Sequence, residues 1–156
     1  MNEQGRPLDR RAFLATAGLG TVATIGLSGP LEAAELSAGE KANLKVVNDM
    51  CAAWVAPVNF DKIAAFFADD CVYRASETSP PAKGREATFE RLRSLSSAQK
   101  AQFQVVQTFA KGSIVVNERF DRFTMPQRSI NWHGVGVFYL KDGKIAEWSD
   151  FTIRDQ

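Results

Sequence analysis

Apolar positions recur every three or four residues between positions 37 and 67, and that spacing predicts helices. Leu44, Val47, Cys51, Trp54 and Val55 form one such series. Ser37 with Glu40 reads as a capping box at its start, since each side chain can bond the other's free backbone N–H. Pro57 ends this first helix. Asn59 or Asp61 can cap a second, carrying Ile63, Phe66 and Phe67. A short strand is predicted over 71–74 and a loop over 78–81. A third helix opens after Gly84, with Phe89, Leu92 and Leu95 on one side, and ends near Ser96 and Ser97.

From position 103 the period changes to two, the repeat of a strand with one face buried. Strands are predicted over 103–109, 113–123, 130–140 and 144–153. Asp142-Gly143 between the last two is a type I′ hairpin signal. Helices first and an antiparallel meander after them define an α+β domain. A curved antiparallel sheet packed against three N-terminal helices makes a cone. Eleven Phe and three Trp are a surplus for one domain, and the cavity of such a cone is where it is expected to go.

The N-terminus follows a different pattern. Arg10-Arg11 precede Phe13-Leu14, and an uncharged run rich in Gly, Ala and Thr continues to Leu31, with Ala33-Ala34 behind it. A charged start, a mildly apolar middle and small residues at the end make a signal peptide. The paired arginines resemble a twin-arginine signal. Cleavage near Ala33 or Ala34 would divide the chain into a leader, 1–34, and a domain, 35–156. The resemblance implies an exported, periplasmic protein with no stable membrane insertion after cleavage. The run is marginal as a retained anchor because of its Gly, Thr and Pro30.

Charge narrows the partners. The chain has 19 basic and 18 acidic residues, and the leader holds three of each, so the domain keeps the net +1. That balance gives no reason to expect nucleic acid or an anionic membrane as partner. Cys51 and Cys71 either pair in an oxidising compartment or remain two buried thiols, as folding before export would leave them. Two Cys and His133 fall short of the usual zinc ligand sets, so neither metal nor cofactor is expected.

The candidate chemistry lies on the strands. Alternation puts Val115, Asn117, Arg119, Asp121 and Phe123 on one face of 113–123, with Ile114, Val116, Glu118, Phe120 and Arg122 on the other. Trp148, Asp150 and Thr152 share a face of the last strand. Ionisable groups on interior-looking faces are costly unless they pair. Two carboxylates and one guanidinium in an apolar pocket leave one excess negative charge, which favours retaining one proton on the pair. His133 lies on the strand face opposite to Trp132 and has no matching acid nearby in sequence, so a Ser-His-Asp arrangement is not expected.

Tyr73, Arg119-Phe120-Asp121, Gly136-Val137-Phe138 and the closing run from Asp142-Gly143-Lys144-Ile145 to Trp148 and Asp150-Phe151 together resemble the limonene-1,2-epoxide hydrolase family. That family belongs to the cone folds that include nuclear transport factor 2, ketosteroid isomerase and the SnoaL-type polyketide cyclases. The resemblance implies a cofactor-free reaction and a catalytic set of Asp121, Asp150, Arg119 and Tyr73. Asp121 would protonate the epoxide oxygen, Asp150 would deprotonate the attacking water, Arg119 would bridge them, and Tyr73 would hold the water. The expected pocket takes a small apolar epoxide between Asn117, Trp132, Gly134, Trp148 and Leu95, in a homodimer formed through the outer face of the sheet. Two positions depart from the family: Ala75 stands where it has a water-orienting asparagine, and Ser149 where it has arginine. Asn117, Ser76 and Glu77 are candidates to replace that asparagine. An isomerase or cyclase resembling ketosteroid isomerase or SnoaL needs only one Asp as base, and a non-catalytic periplasmic binding cone needs none.

Overall fold

In a computed structural model, which describes residues 35–153, Ser37 opens helix α1 (Ala38–Ala52) with the expected capping box. Ser37 Oγ accepts the Glu40 N–H at 3.2 Å and Glu40 Oε2 accepts the Ser37 N–H at 2.8 Å. Glu40 Oε1 also accepts the N–H of Gly112 at 2.9 Å, tying the helix start to a strand turn. These backbone donors hold its carboxyl down at about 2. Trp54 falls just past the helix and is buried, whereas Val55 is exposed. Helix α2 (Phe60–Ala64) is capped by Asn59, whose Oδ1 accepts the Lys62 N–H. The leader and export signal expected over 1–34 lie outside the described residues. No helix among the described residues is long and apolar enough to cross a membrane.

Strand β1 (Phe67–Arg74) starts earlier than expected and takes Phe67 from the predicted helix. A two-residue strand, β2 (Ala82–Lys83), pairs with it; so short a segment shows no alternation in sequence. Helix α3 (Arg85–Leu92) continues into a 3₁₀ turn (Arg93–Leu95). Then follow β3 (Lys100–Lys111), β4 (Ile114–Thr124), β5 (Ser129–Lys141) and β6 (Lys144–Thr152). Asp142 and Gly143 both have positive φ, 50° and 72°, as a type I′ turn requires.

The sheet order is β2-β1-β6-β5-β4-β3. The β3–β6 meander is antiparallel, but β1 lies parallel to β6, so the six-stranded sheet is mixed. Parallel neighbours need a long crossover rather than a hairpin, and α3 and the meander supply it. A register shift between Val105 and Gln107 bulges β3, turning Val106 outward and adding to the curl. The concave face packs against the helices as an α+β cone.

The expected cavity is largely occupied by rings. Trp54 stacks on Phe103 at 4.7 Å, meets Phe123 edge-on at 5.8 Å, and Phe138 stacks on Trp148 at 5.7 Å. Large aromatic faces bury more area against each other than against a void, so the surplus goes mainly into core. Cys51 and Cys71 are separate buried thiols; of the two alternatives left open by sequence, the described fold takes the unpaired one.

Candidate functional site

Alternation along β4 builds the site. Val115, Asn117, Arg119, Asp121 and Phe123 are all buried on the concave face, and Ile114 and Arg122 are exposed on the convex one. Arg119 is fully buried, an arrangement tolerable only if its donors are met. Nε donates to Asp121 Oδ1 at 2.9 Å, Nη2 to Asp150 Oδ1 at 2.8 Å, and Nη1 to Asn117 Oδ1 at 3.1 Å. Asp150 arrives from β6, so one guanidinium joins two carboxylates borne on strands separated by β5.

Rings surround the charge. Arg119 Cζ lies 4.9 Å from the ring centroids of Phe103 and Trp132, 5.4 Å from Trp148 and 5.9 Å from Phe138. Their faces attract the cation while they exclude water. Two glycines on β5 make room. A Cβ on Gly136 would overlap Arg119 Nη1, and one on Gly134 would overlap the Trp132 indole. Gly inside a strand often marks such a close approach. Trp132, half-buried, fixes its own ring by donating from Nε1 to Thr152 Oγ1 at 3.1 Å.

The two carboxylates differ in their support. Asp150 Oδ1 accepts a second bond, from Trp148 Nε1 at 2.7 Å, whereas Asp121 Oδ1 accepts only from Arg119. Among the described residues, neither Oδ2 receives a hydrogen bond. Side-chain exposure rises from 0% at Arg119 to 7% at Asp150 and 11% at Asp121, so the cluster meets solvent on the Asp121 side. Burial lifts the Asp121 carboxyl to about 7, against the pull of Arg119. Burial lifts Asp150 also, opposed by Arg119 and Trp148. Burial works against the Arg119 charge, but Asp150 and Asp121 outweigh it and raise its pKa. The excess negative charge therefore invites one proton onto the pair. Two charge-stabilising donors on Asp150 favour leaving that proton on Asp121.

Tyr73 is buried with its ring 4.5 Å from that of Trp148, its partner in the β1–β6 register. Burial, then the nearby Asp150, raises its pKa, which keeps the hydroxyl a donor. Trp148 is buried beneath the carboxylates, and Leu95 is half-buried on the 3₁₀ turn against the core. Asn117 is committed to Arg119 on one side and donates to Cys51 Sγ at 3.3 Å on the other. Ser76 bonds Ser79, and Glu77 accepts the backbone N–H of Thr152. These partners occupy the groups that sequence offered in place of the missing asparagine.

Some contributors had no visible signal. Cys51 supports Asn117 from α1, and its thiol, lifted to about 11 by burial, remains protonated. Phe103 had only its place on the inward phase of its strand, and Phe138 its place in the Gly136-Val137-Phe138 motif, with no role assigned. His133 does have an acid partner after all: Nε2 lies 2.9 Å from Glu118 Oε1 on the neighbouring strand, and its ring stacks on Phe120 at 4.1 Å. This pair is on the convex face, away from Arg119. A cleft of about 500 Å³ between α1 and β3 is lined in part by Phe103, which lies against the guanidinium, and by Cys51, which reaches it through Asn117.

Solved structures share the architecture. An epoxide hydrolase of Mycobacterium tuberculosis, described as limonene-epoxide-hydrolase-like, is 24% identical with a TM-score of 0.64, over 73% of this chain and 84% of that one. A candidate SnoaL-like polyketide cyclase of Jannaschia sp. CCS1 is 15% identical with a TM-score of 0.66, over 76% and 90%. A candidate polyketide cyclase of Xanthomonas campestris pv. campestris is 18% identical with a TM-score of 0.64, over 74% and 93%. At these identities the likeness establishes the cone fold, which hosts many activities. The model of the SnoaL-like domain matches residues 47–148, from α1 into β6, and the chain belongs to that family.

Proposed function

We propose that the domain hydrolyses a small, mainly apolar epoxide to a vicinal diol in one step. The observation that carries this reading is the single guanidinium held between the carboxylates of Asp121 and Asp150. Opening an epoxide needs a proton at the oxygen that leaves carbon and a base for the water that attacks. One proton shared by two carboxylates supplies both. Asp121, with fewer donors and a raised pKa, gives its proton to the oxirane oxygen as the C–O bond breaks. Asp150, whose carboxylate accepts from Arg119 and Trp148, takes a proton from water as its oxygen bonds the carbon. The diol leaves, and a proton returns from Asp150 to Asp121 through solvent. Arg119 keeps its charge throughout and holds both carboxylates in place. The low-identity likeness to an epoxide hydrolase adds support.

A second reading has its own observation. Ala75 provides no group to hold water, and Ser76 and Glu77 are bonded elsewhere. An isomerase or cyclase needs no such water: one Asp would move a proton on a carbonyl substrate. Single turnover of epoxides in ¹⁸O water separates the readings. Diol carrying one labelled oxygen, lost in Asp121→Asn and Asp150→Asn, is expected for hydrolysis; folded protein inert to every epoxide excludes it.

Two proposals concern its setting. Phe109, Ile114, Tyr139 and Phe151 are exposed on the convex face of four adjacent strands, an apolar surface suited to a homodimer. The leader is proposed to direct periplasmic export, which Arg10→Lys with Arg11→Lys would block.

A further inference from the structure

Trp54 carries a buried indole N–H with no hydrogen-bond partner among the described residues. The residue is 1% exposed. The other two tryptophans are satisfied, Trp132 by Thr152 and Trp148 by Asp150, and so are Asn117 and Arg119. A buried donor left unpaired costs free energy, and native proteins keep few of them. Stacking does not explain the choice of residue. Phenylalanine could stack on Phe103 and meet Phe60 and Phe123 edge-on without bringing a polar atom inside.

Its location links it to the acid–base cluster. Phe103, 4.7 Å from the Trp54 ring, lies 4.9 Å from Arg119 Cζ and is the register partner of Asp121. Phe123, against the other side of the contact set, is two residues beyond Asp121 on the same face. Trp54 therefore packs one ring behind the Asp121 end of the cluster, across Phe103.

We propose that the Trp54 indole N–H is a substrate-binding donor, and that the substrate carries a second oxygen acceptor, a carbonyl, ether or hydroxyl, about one ring's width from its reacting group. This rests on the hydrolase reading for the identity of the reacting group, but the acceptor subsite stands on the orphaned donor and its neighbours. A hydrocarbon epoxide would leave the donor unmet. An oxygenated alicyclic one would satisfy it on binding, and the site would reject the analogue lacking that oxygen.

The test reads the three indole N–H signals of the full-length protein by ¹H–¹⁵N NMR, assigned with Trp54→Phe, or with Trp132→Phe and Trp148→Phe if the first does not fold. Cyclohexanone and cyclohexene serve as probes with and without the acceptor. Cyclohexanone should shift the Trp54 signal downfield and cyclohexene should not. Trp54→Phe should weaken cyclohexanone binding about fivefold to thirtyfold and leave cyclohexene within twofold. A Trp54 signal unmoved at saturating cyclohexanone, or equal loss for both probes, as expected where only a buried water meets the donor, overturns the inference. Absence of binding by either probe overturns it also. Turnover of cyclohexene oxide, measured in parallel, reports on the reaction separately: its failure with a responsive Trp54 removes the hydrolase reading alone.

Discussion

Arg119 lies in the space that a side chain at Gly136 would occupy. A Cβ there would overlap Nη1, approach Phe138 Cε2 to 2.8 Å and Asn117 Oδ1 to 3.0 Å. The guanidinium is held by three acceptors and ringed by aromatics, so it cannot yield without losing a bond. Gly136→Ala is expected to cost about 1–3 kcal/mol of stability, the usual range for overpacking. Because misplacement by about 1 Å can cost about a hundredfold in rate, turnover should fall further than stability alone explains. Denaturant melts beside kcat measurements would show whether the two losses part.

Removing the acid and the base should have different pH signatures. Asp121→Asn keeps an acceptor for Arg119 Nε but cannot deliver a proton, and the expected loss in kcat is about 10²–10⁴-fold. Asp150→Asn should lose a similar factor. The wild-type rate should decline above pH about 7, where Asp121 gives up its proton. The limbs of the profile belong to the pair, so each variant should remove a limb rather than shift it. A profile unchanged in shape in both variants would rule out the assignment.

The same group makes folding pH-dependent. The Asp121 carboxyl titrates at about 7 when folded and near its ordinary 3.8 when unfolded. Between those values the folded state holds a proton that the unfolded state has released. Stability from this group is thus full below pH about 4 and is lost as pH rises to about 7. The slope approaches about 1.4 kcal/mol per pH unit at most. Urea melts of Asp121→Asn should show a flatter dependence across that window than wild type. An equal slope would place the carboxyl at its ordinary pKa.

Much of this site was legible because strands have a strict period. Asn117, Arg119 and Asp121 share a phase with Val115 and Phe123, so placing β4 put them on one face, but Ile114, Val116 and Phe120 make the other face as apolar, and only the packing of the sheet decides which is buried. Asp142-Gly143 set the β5–β6 hairpin, but it is the one-residue register shift between Tyr139 and Leu140, unmarked in sequence, that puts Asp150 opposite Gly136. Tertiary relationships were not legible. Nothing local in Gly136 names Arg119 as its neighbour, and nothing in Cys51 on a helix names Asn117. Glu118 and His133 are 15 positions apart, and only the β4–β5 register brings them together. The parallel seating of β1 beside β6 likewise depends on the long crossover and leaves no mark on either strand.

The convex face gives a prediction about assembly. Ile114 and Tyr139 are register partners, 48% and 45% exposed, and Phe109 on β3 is 61% exposed. Burying them against a second copy would remove apolar surface from water at about 25 cal/mol per Å². Tyr139→Glu would place a charge in that contact. Sedimentation should show a dimer for wild type and a monomer for the variant at equal concentration. A monomeric wild type would refute the proposed interface.

Asn117 gives a sharper test of how the cluster is held. Its amide has one possible orientation, because Arg119 can only donate and must therefore face Oδ1, which leaves Nδ2 for Cys51 Sγ. Asn117→Ala leaves Arg119 Nη1 buried without that acceptor and should cost about 1–3 kcal/mol. Cys51→Ala removes a weaker sulfur acceptor and should cost less through the hydrogen bond, with the lost packing added. If both act through the same chain of contacts, their effects should not add, since the second loss removes a link already broken. The double variant is expected to be more stable than the sum of single losses predicts. Turnover of Asn117→Ala should fall mainly in kcat, because the residue sets the guanidinium that aligns both carboxylates and leaves apolar substrate contacts untouched. A loss confined to KM would show instead that Asn117 touches the substrate.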